Sequence, residues 1–270
     1  MSSRLNIDIK CDFISFDLYH EKKLELYVNQ IPTTAPEQNT LRFVYIIEPY
    51  QICDLRYQAL ASYKKTYDFL LTHDETLLKK VDGSYLMEFG SCWIRDFQHE
   101  DKEYSVSFLC GGKTITSGHN LRHEIWNSSQ LINIPKNFFI SGNYSGGLHN
   151  SYGYPRLGNK KHQLFQSMFH ICIENVKNNN FFTEKLIDCL YAKTVPIYYG
   201  CPNIGDWFDT RGFIIVDNVN DVVEATNNLI IDTYMQKLEY VNSNYLACLK
   251  FADFNQHVKN KIESILSLFP

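Results

Sequence analysis

The sequence predicts an α/β fold built on parallel sheets, and two observations predict it. Near-continuous apolar runs rich in β-branched and aromatic residues recur at 41–47, 67–71, 85–89, 104–109, 138–140, 168–173, 195–199 and 213–216. Their lengths suit strands covered on both faces. Between them lie helix-like stretches at 52–64, 119–132, 183–193, 220–231 and 233–250. Strands that alternate with helices imply βαβ units.

The most informative unit is Phe169-His-Ile-Cys-Ile-Glu-Asn-Val176, followed by Phe182-Thr-Glu-Lys-Leu-Ile-Asp188 and Val195-Pro-Ile-Tyr-Tyr-Gly200. It reads as a buried strand ending in Glu174 and Asn175, then a loop, then a helix whose first turn carries Glu184 and Lys185, then a second buried strand. In an open α/β sheet, the carboxyl edge where these charges gather is where ligands bind. A lysine in a first turn opposes the partial positive charge of the helix N-terminus. An anion held there would reconcile the two. The alternative, that Glu184 and Lys185 are solvated surface charges, stays open on spacing alone.

The polar run 98–102 is the weakest connection between apolar segments and marks a division into residues 1–100 and 101–250, with a C-terminal helix in 251–270 that packs back on the first part. Val258, Ile262, Ile265, Leu266 and Leu268 are spaced like one helix face, suited first to core packing and, as the alternative, to a membrane surface. The stretch 142–159 is rich in Gly, Asn, Ser and Tyr and reads as a long loop of the kind that carries function.

With 270 residues, 44% hydrophobic and 21% charged, the composition is that of an ordinary globular protein. A net charge of −4 gives no case for a nucleic-acid partner. The eight cysteines, at 11, 53, 92, 110, 172, 189, 201 and 248, include no Cys-x-x-Cys pair, and several lie in apolar runs. Reduced, buried thiols and a cytoplasmic location are expected. The first ten residues lack the apolar core of a signal peptide, and no apolar run approaches the ~18 residues of a membrane span.

Further candidates lie upstream. Gly111, Gly112 and Lys113 follow the strand at 104–109, and the next helix carries Arg122, so this turn could approach a phosphate that Arg122 clamps. An ordinary strand-to-helix turn fits equally, since the pattern matches neither a Walker A loop nor a dinucleotide fingerprint. Glu48 ends the apolar run Phe43-Val-Tyr-Ile-Ile47, a position suited to a general base or to capping the next helix. His119 and His123 are spaced i, i+4 but lack a third ligand and the His-Glu-x-x-His order, so no metal site is expected.

Together, Phe169 to Asn175, Phe181 to Asp188, Thr194 to Gly200 and Phe213-Ile-Ile-Val-Asp217 resemble the donor-binding half of α-1,3-fucosyltransferases of the compact bacterial type. The similarity extends through Gly146-Gly-Leu-His-Asn150, Gly153 and the segment holding Arg122, and more weakly to Val44-Tyr-Ile-Ile-Glu48 and Tyr67-Asp-Phe-Leu-Leu-Thr-His73. It implies a GT-B-like architecture, two facing Rossmann-like domains with a short N-terminal one on the acceptor side and a nucleotide-sugar-binding C-terminal one.

The resemblance also implies an inverting transfer of fucose from GDP-fucose to a glycan hydroxyl, with no cofactor or metal required. Glu48 would be the base and Arg122 and Lys185 would neutralise the diphosphate. Glu174, Asn175, Phe181, Thr183 and Glu184 would contact or support the donor, with Gly111, Gly112 and Lys113 as a phosphate turn. The family member compared has tyrosine in place of Phe181 and Ser-Asn near the phosphate turn, so both departures touch the donor site. Alternatives are the same fold with another nucleotide sugar, or a non-catalytic glycan- or nucleotide-binding module.

Overall fold

The structure, a computed structural model, describes residues 22–141 and 152–269. The loop segment 146–150 singled out above therefore lies outside the described residues. The chain divides into two compact units. One runs to Phe89 and takes in Asn179–Phe181 and everything from Phe254 onward; the other comprises Gly90–Asn178 and Phe182–Asp253.

In the first unit, β1 (Lys23–Val28), β2 (Thr40–Ile46), β3 (Phe69–Thr72) and β4 (Ser84–Leu86) form a parallel sheet in that order. The helices are α1 (Tyr50–Ser62) and α2 (Glu75–Lys80), joined by α7 (Phe254–Leu266) from the far end of the chain. The pleat sorts side chains by parity. Phe43, Tyr45, Ile47 and Leu71 pack with Phe254, Val258, Ile262, Ile265 and Leu266 of α7. Val44, Ile46 and Leu70 pack with Cys53 and Leu60 of α1 and Leu77 of α2. The C-terminal helix thus supplies one face of the first unit's core, which the sheet cannot cover by itself.

The sequence reading has no strand at β1, because Lys23 and Glu25 interrupt its apolar pattern. Glu25 is the register partner of Arg42 on β2, and the two form a buried ion pair with Nε to Oε2 at 2.7 Å. Each charge is buried with its complement, so the strand tolerates both. The helix α2 also escapes a periodicity search at six residues; its start is fixed by Asp74, whose Oδ1 accepts from Leu77 N at 2.9 Å.

The second unit holds β5 (Glu103–Cys110), β6 (Lys136–Ile140), β7 (Ser167–Ile173), β8 (Val195–Tyr199) and β9 (Ile214–Ile215), all parallel, in the order β6-β5-β7-β8-β9. Its helices are α3 (Ser117–Asn127), α4 (Glu184–Tyr191), α5 (Val219–Asn227) and α6 (Ile231–Ala252). Val106, Phe108, Phe169, Ile171, Val195 and Ile197 share one core with Leu121, Ile125 and Trp126 of α3 and Val222 of α5. Cys172 and Tyr198 share the other with Leu186, Ile187 and Leu190 of α4 and Phe251 of α6. From β5 the chain winds outward to β6, and from β7 it winds the other way to β8 and β9. A topological switch point therefore lies between the carboxyl ends of β5 and β7.

The division falls after Phe89, not in the 98–102 run. Residues 92–94 already belong to the second core: Cys92 and Ile94 pack with Leu186 and Phe251, and Trp93 N donates to Asp188 Oδ1 at 2.7 Å. The 98–102 run is a polar surface stretch inside that unit. Because α7 completes the first core, Ile262→Ala should lower the unfolding free energy by about 2–5 kcal/mol. Urea denaturation checks this, and a loss below about 1 kcal/mol would contradict the packing described.

Candidate functional site

At the switch point, the end of β7 and the start of α4 are joined through a buried carboxylate. Glu174 is 0% exposed and accepts from Thr183 N at 2.7 Å (Oε1) and from Thr183 Oγ1 at 2.8 Å (Oε2). Thr183 is the N-cap of α4, and its Oγ1 in turn accepts from Lys185 N at 3.4 Å and Lys185 Nζ at 2.9 Å. Burial pushes the Glu174 carboxyl above its ordinary value, against the pull of Lys185.

Lys185 is answered within the chain. Its Nζ lies 3.6 Å from Glu174 Oε2 and 3.3 Å from Glu184 Oε1, which offsets the unfavourable field of the helix start. Glu184 has a second cation that sequence reasoning misses: Lys161 Nζ, 3.7 Å from Glu184 and 3.1 Å from Asp188 Oδ2, one helical turn further on. Lys161 also lies 4.0 Å from the Trp93 ring centroid. Burial works to raise the Glu184 pKa, yet Lys185 and Lys161 overcome it and hold the group at about 2. For Asp188 burial wins over Lys161, and its pKa is pushed up to about 6. Lys161 sits 23 residues before Glu184 in a separate turn, so no local pattern signals it.

The helix α3 reaches the same edge from the other face of the sheet. Thr116 caps it, and Gly118 N donates to Asn175 O at 3.0 Å. A Cβ on Gly118 would come 1.8 Å from Glu174 O, so only glycine lets α3 start this close to β7. Arg122 Nε and Nη2 donate to Ile173 O, and Nη2 also to Asn175 Oδ1 at 2.9 Å. Arg122 and Asn175 thereby orient each other. The ring of His119 lies nearby with Nδ1 2.7 Å from Thr116 Oγ1. Burial, with the positive charges of Arg122, Lys113 and Lys185, brings its pKa down to about 4.

Other candidates fall differently. Gly111 and Gly112 follow β5, and neither adopts a positive φ; Gly111 O lies 2.9 Å from His123 Nε2. Lys113 is exposed. Phe181 belongs with the first unit, where its ring packs on His73 at a centroid distance of 4.9 Å. Also in that unit, Glu48 is half-buried just past β2. Its backbone is pinned: N donates to Asn29 Oδ1 at 3.1 Å, and O accepts from Tyr57 OH at 3.2 Å. Asn29 has φ +52, a left-handed conformation that asparagine tolerates.

Residues 145–265 match the family model "Glycosyltransferase family 10 (fucosyltransferase) C-term". Over this stretch, a little under half of the chain, the protein is similar to family 10 fucosyltransferases. Over 80 residues the chain is 35% identical to an alpha-(1,3)-fucosyltransferase of Helicobacter pylori, covering 30% of this chain and 16% of that protein. A further 88-residue match, 32% identical, is to GDP-fucose protein O-fucosyltransferase 3 of Danio rerio, covering 33% and 18%. The chain thus matches under a fifth of the length of either curated relative.

The fold extends further than the sequence match. An α1,3-fucosyltransferase crystallised with GDP superposes with a TM-score of 0.50 at 18% identity, covering 86% of this chain and 77% of that one. One with GDP-fucose gives 0.50 at 16%, covering 84% and 80%. These establish the shared GT-B-like fold of two parallel α/β units. The family 10 match takes in Glu174, Asn175, Thr183, Glu184 and Lys185 together.

A depressed pKa has a sign that can be read in solution. Glu184 contributes stability that is fully present above about pH 4.5 and lost as the pH falls towards about 2. The difference in unfolding free energy between wild type and Glu184→Gln should therefore grow from pH 2 to 4.5 and stay level above. Urea denaturation across that range checks it, and a pH-independent difference would show that Lys185 and Lys161 do not hold the carboxylate ionised.

Proposed function

We propose that this chain is an inverting fucosyltransferase that moves fucose from GDP-fucose to a hydroxyl of a glycan acceptor, without a metal. One observation carries the reading: the N-termini of α3 and α4, with Arg122 and Lys185, converge on the carboxyl edge of β7 at the switch point. Helix N-termini with adjacent cations are anion sites, and a diphosphate fits that chemistry. The family match supports the donor class, and relatives of this fold have been crystallised with GDP and GDP-fucose.

In this reading Arg122 and Lys185 face the diphosphate, Glu184 accepts from donor hydroxyls, and Glu174 and Asn175 hold Thr183 and Arg122 in place. The acceptor hydroxyl attacks the anomeric carbon as the bond to the diphosphate oxygen breaks. Glu48 takes the hydroxyl proton in the same displacement. Negative charge grows on the departing GDP, and the fixed cations and helix N–H groups stabilise it most in the transition state. Those groups supply the electrostatic role a divalent ion would otherwise take, which is the support for a metal-independent reaction.

Among the described residues no helix is long and apolar enough to cross a membrane. The seven described cysteines are buried thiols, which suits a reducing compartment, and on that ground we propose a cytoplasmic location.

The test is transfer from GDP-fucose to a panel of glycan acceptors, with UDP-sugars in parallel and with chelator present. Wild-type protein should turn over GDP-fucose in chelator, and Glu48→Gln should lower kcat by about 100-fold or more while leaving the donor KM nearly unchanged. Turnover of UDP-sugars alone would replace the donor. Full activity of Glu48→Gln would remove Glu48 from the base role.

A further inference from the structure

We propose that His73 is a specificity-determining residue that hydrogen-bonds a sugar hydroxyl at the carboxyl edge of the first unit's sheet. The position comes from topology. Strand β3 ends at Thr72, whose register partner on β2 is Ile46 and whose carbonyl accepts from Met87 N at 2.9 Å on the other side. His73 is thus the first residue past the end of an inner parallel strand, where open α/β sheets present ligand-binding groups. Its ring is only 1% exposed, and neither Nδ1 nor Nε2 has a hydrogen-bond partner among the described residues.

Both ring nitrogens of the partly buried His162, and the Oγ atoms of Ser91 and Ser129, likewise lack a hydrogen bond among the described residues, though His162 Nε2 lies 2.9 Å from the Asp96 carboxylate; the other two fully buried histidines are partnered. His119 Nδ1 lies 2.7 Å from Thr116 Oγ1, and His170 Nδ1 lies 2.8 Å from Ser107 Oγ. Buried polar groups in folded chains are paired almost without exception, and one left over calls for an explanation. The backbone here is well anchored: His73 O accepts from Asn180 Nδ2 at 3.3 Å, and Asp74 N donates to Thr72 Oγ1 at 3.1 Å. The ring is oriented by packing against Phe181, tilted 47° at 4.9 Å. Phe181 gives it contact but no hydrogen bond.

The chemistry selects the ligand class. Burial pushes the His73 pKa down to about 4, so at neutral pH the ring is uncharged, with one N–H donor and one bare nitrogen acceptor. A hydroxyl both donates and accepts and matches that pair. A phosphate, which needs donors and positive charge, does not. That the hydroxyl belongs to a saccharide rests on the function proposed above, and it can come from the donor or from the acceptor.

The experiment compares wild type with His73→Phe and His73→Leu, which remove both nitrogens with different shapes. In ligand-free protein at least one variant should melt at or above the wild-type temperature, because unpaired buried atoms have been removed. The KM for GDP-fucose or for the acceptor should rise about tenfold, and the one that moves identifies the source of the hydroxyl. The Kd for GDP, which has no fucose, should be unchanged. Melting several degrees lower in both variants, or two unmoved KM values, would overturn the proposal. Failure of wild-type protein to bind GDP overturns the donor reading instead. The ligand-free melting temperatures then decide on His73, a fall in both overturning it and a rise sustaining it.

Discussion

The second unit's site depends on one buried carboxylate. Glu174 sits at the end of β7 with no solvent exposure, and its oxygens are taken by the N–H and hydroxyl of Thr183. Leaving such a group unpaired in the interior would cost several kcal/mol, so the start of α4 must stay where Thr183 can reach it. That fixes the first turn of α4, and with it Glu184 and Lys185. The carbonyl of the same glutamate forbids a side chain at position 118, which sets how closely α3 approaches. Strand, cap and both helices are thereby held to one geometry, an arrangement that pre-organises charge rather than assembling it on binding.

The charges around that anchor are balanced, and the balance is informative. Lys185 and Lys161 stand against Glu184, Glu174 and Asp188, while Arg122 is turned onto the carbonyl of Ile173 and the amide of Asn175. A lysine in a helix first turn looked in sequence like a local conflict awaiting an anion. In the fold its own carboxylates resolve much of that conflict. The cationic character that remains is felt at His119, where Arg122, Lys113 and Lys185 add to burial in suppressing protonation. The proposed anion site is therefore shared between the α3 and α4 starts, and Lys185 alone does not define it.

Much of this was legible in the sequence. Apolar runs located seven of the nine strands among the described residues within a few residues and placed the short strand Ile214–Ile215 inside a longer run, because two-sided burial makes a parallel strand apolar throughout. The same pattern hid β1, where Lys23 and Glu25 break the signal and Glu25 is answered only by Arg42 on the neighbouring strand. Contiguous residues of the site, Glu174 with Asn175 and Thr183 with Lys185, were visible because strand end and helix start lie close in the chain. Lys161, Trp93 and Gly118 were not, since they reach the site through tertiary packing. The donor role of Phe181 came from the family resemblance, and its packing against His73 in the first unit is a tertiary contact that no local pattern signals.

The central claim is that the β7–α4 junction, with Arg122, forms a diphosphate site. Calorimetric titration with GDP and with guanosine, on wild type and Lys185→Ala, tests it most directly because the two ligands differ only in the diphosphate. The account predicts that GDP binds wild type roughly a hundredfold tighter than guanosine, about 2.7 kcal/mol from charge-assisted contacts, and that Lys185→Ala narrows that gap about tenfold, the remainder staying with Arg122 and the two helix starts. Equal affinities for GDP and guanosine, or a gap untouched by Lys185→Ala, would contradict it.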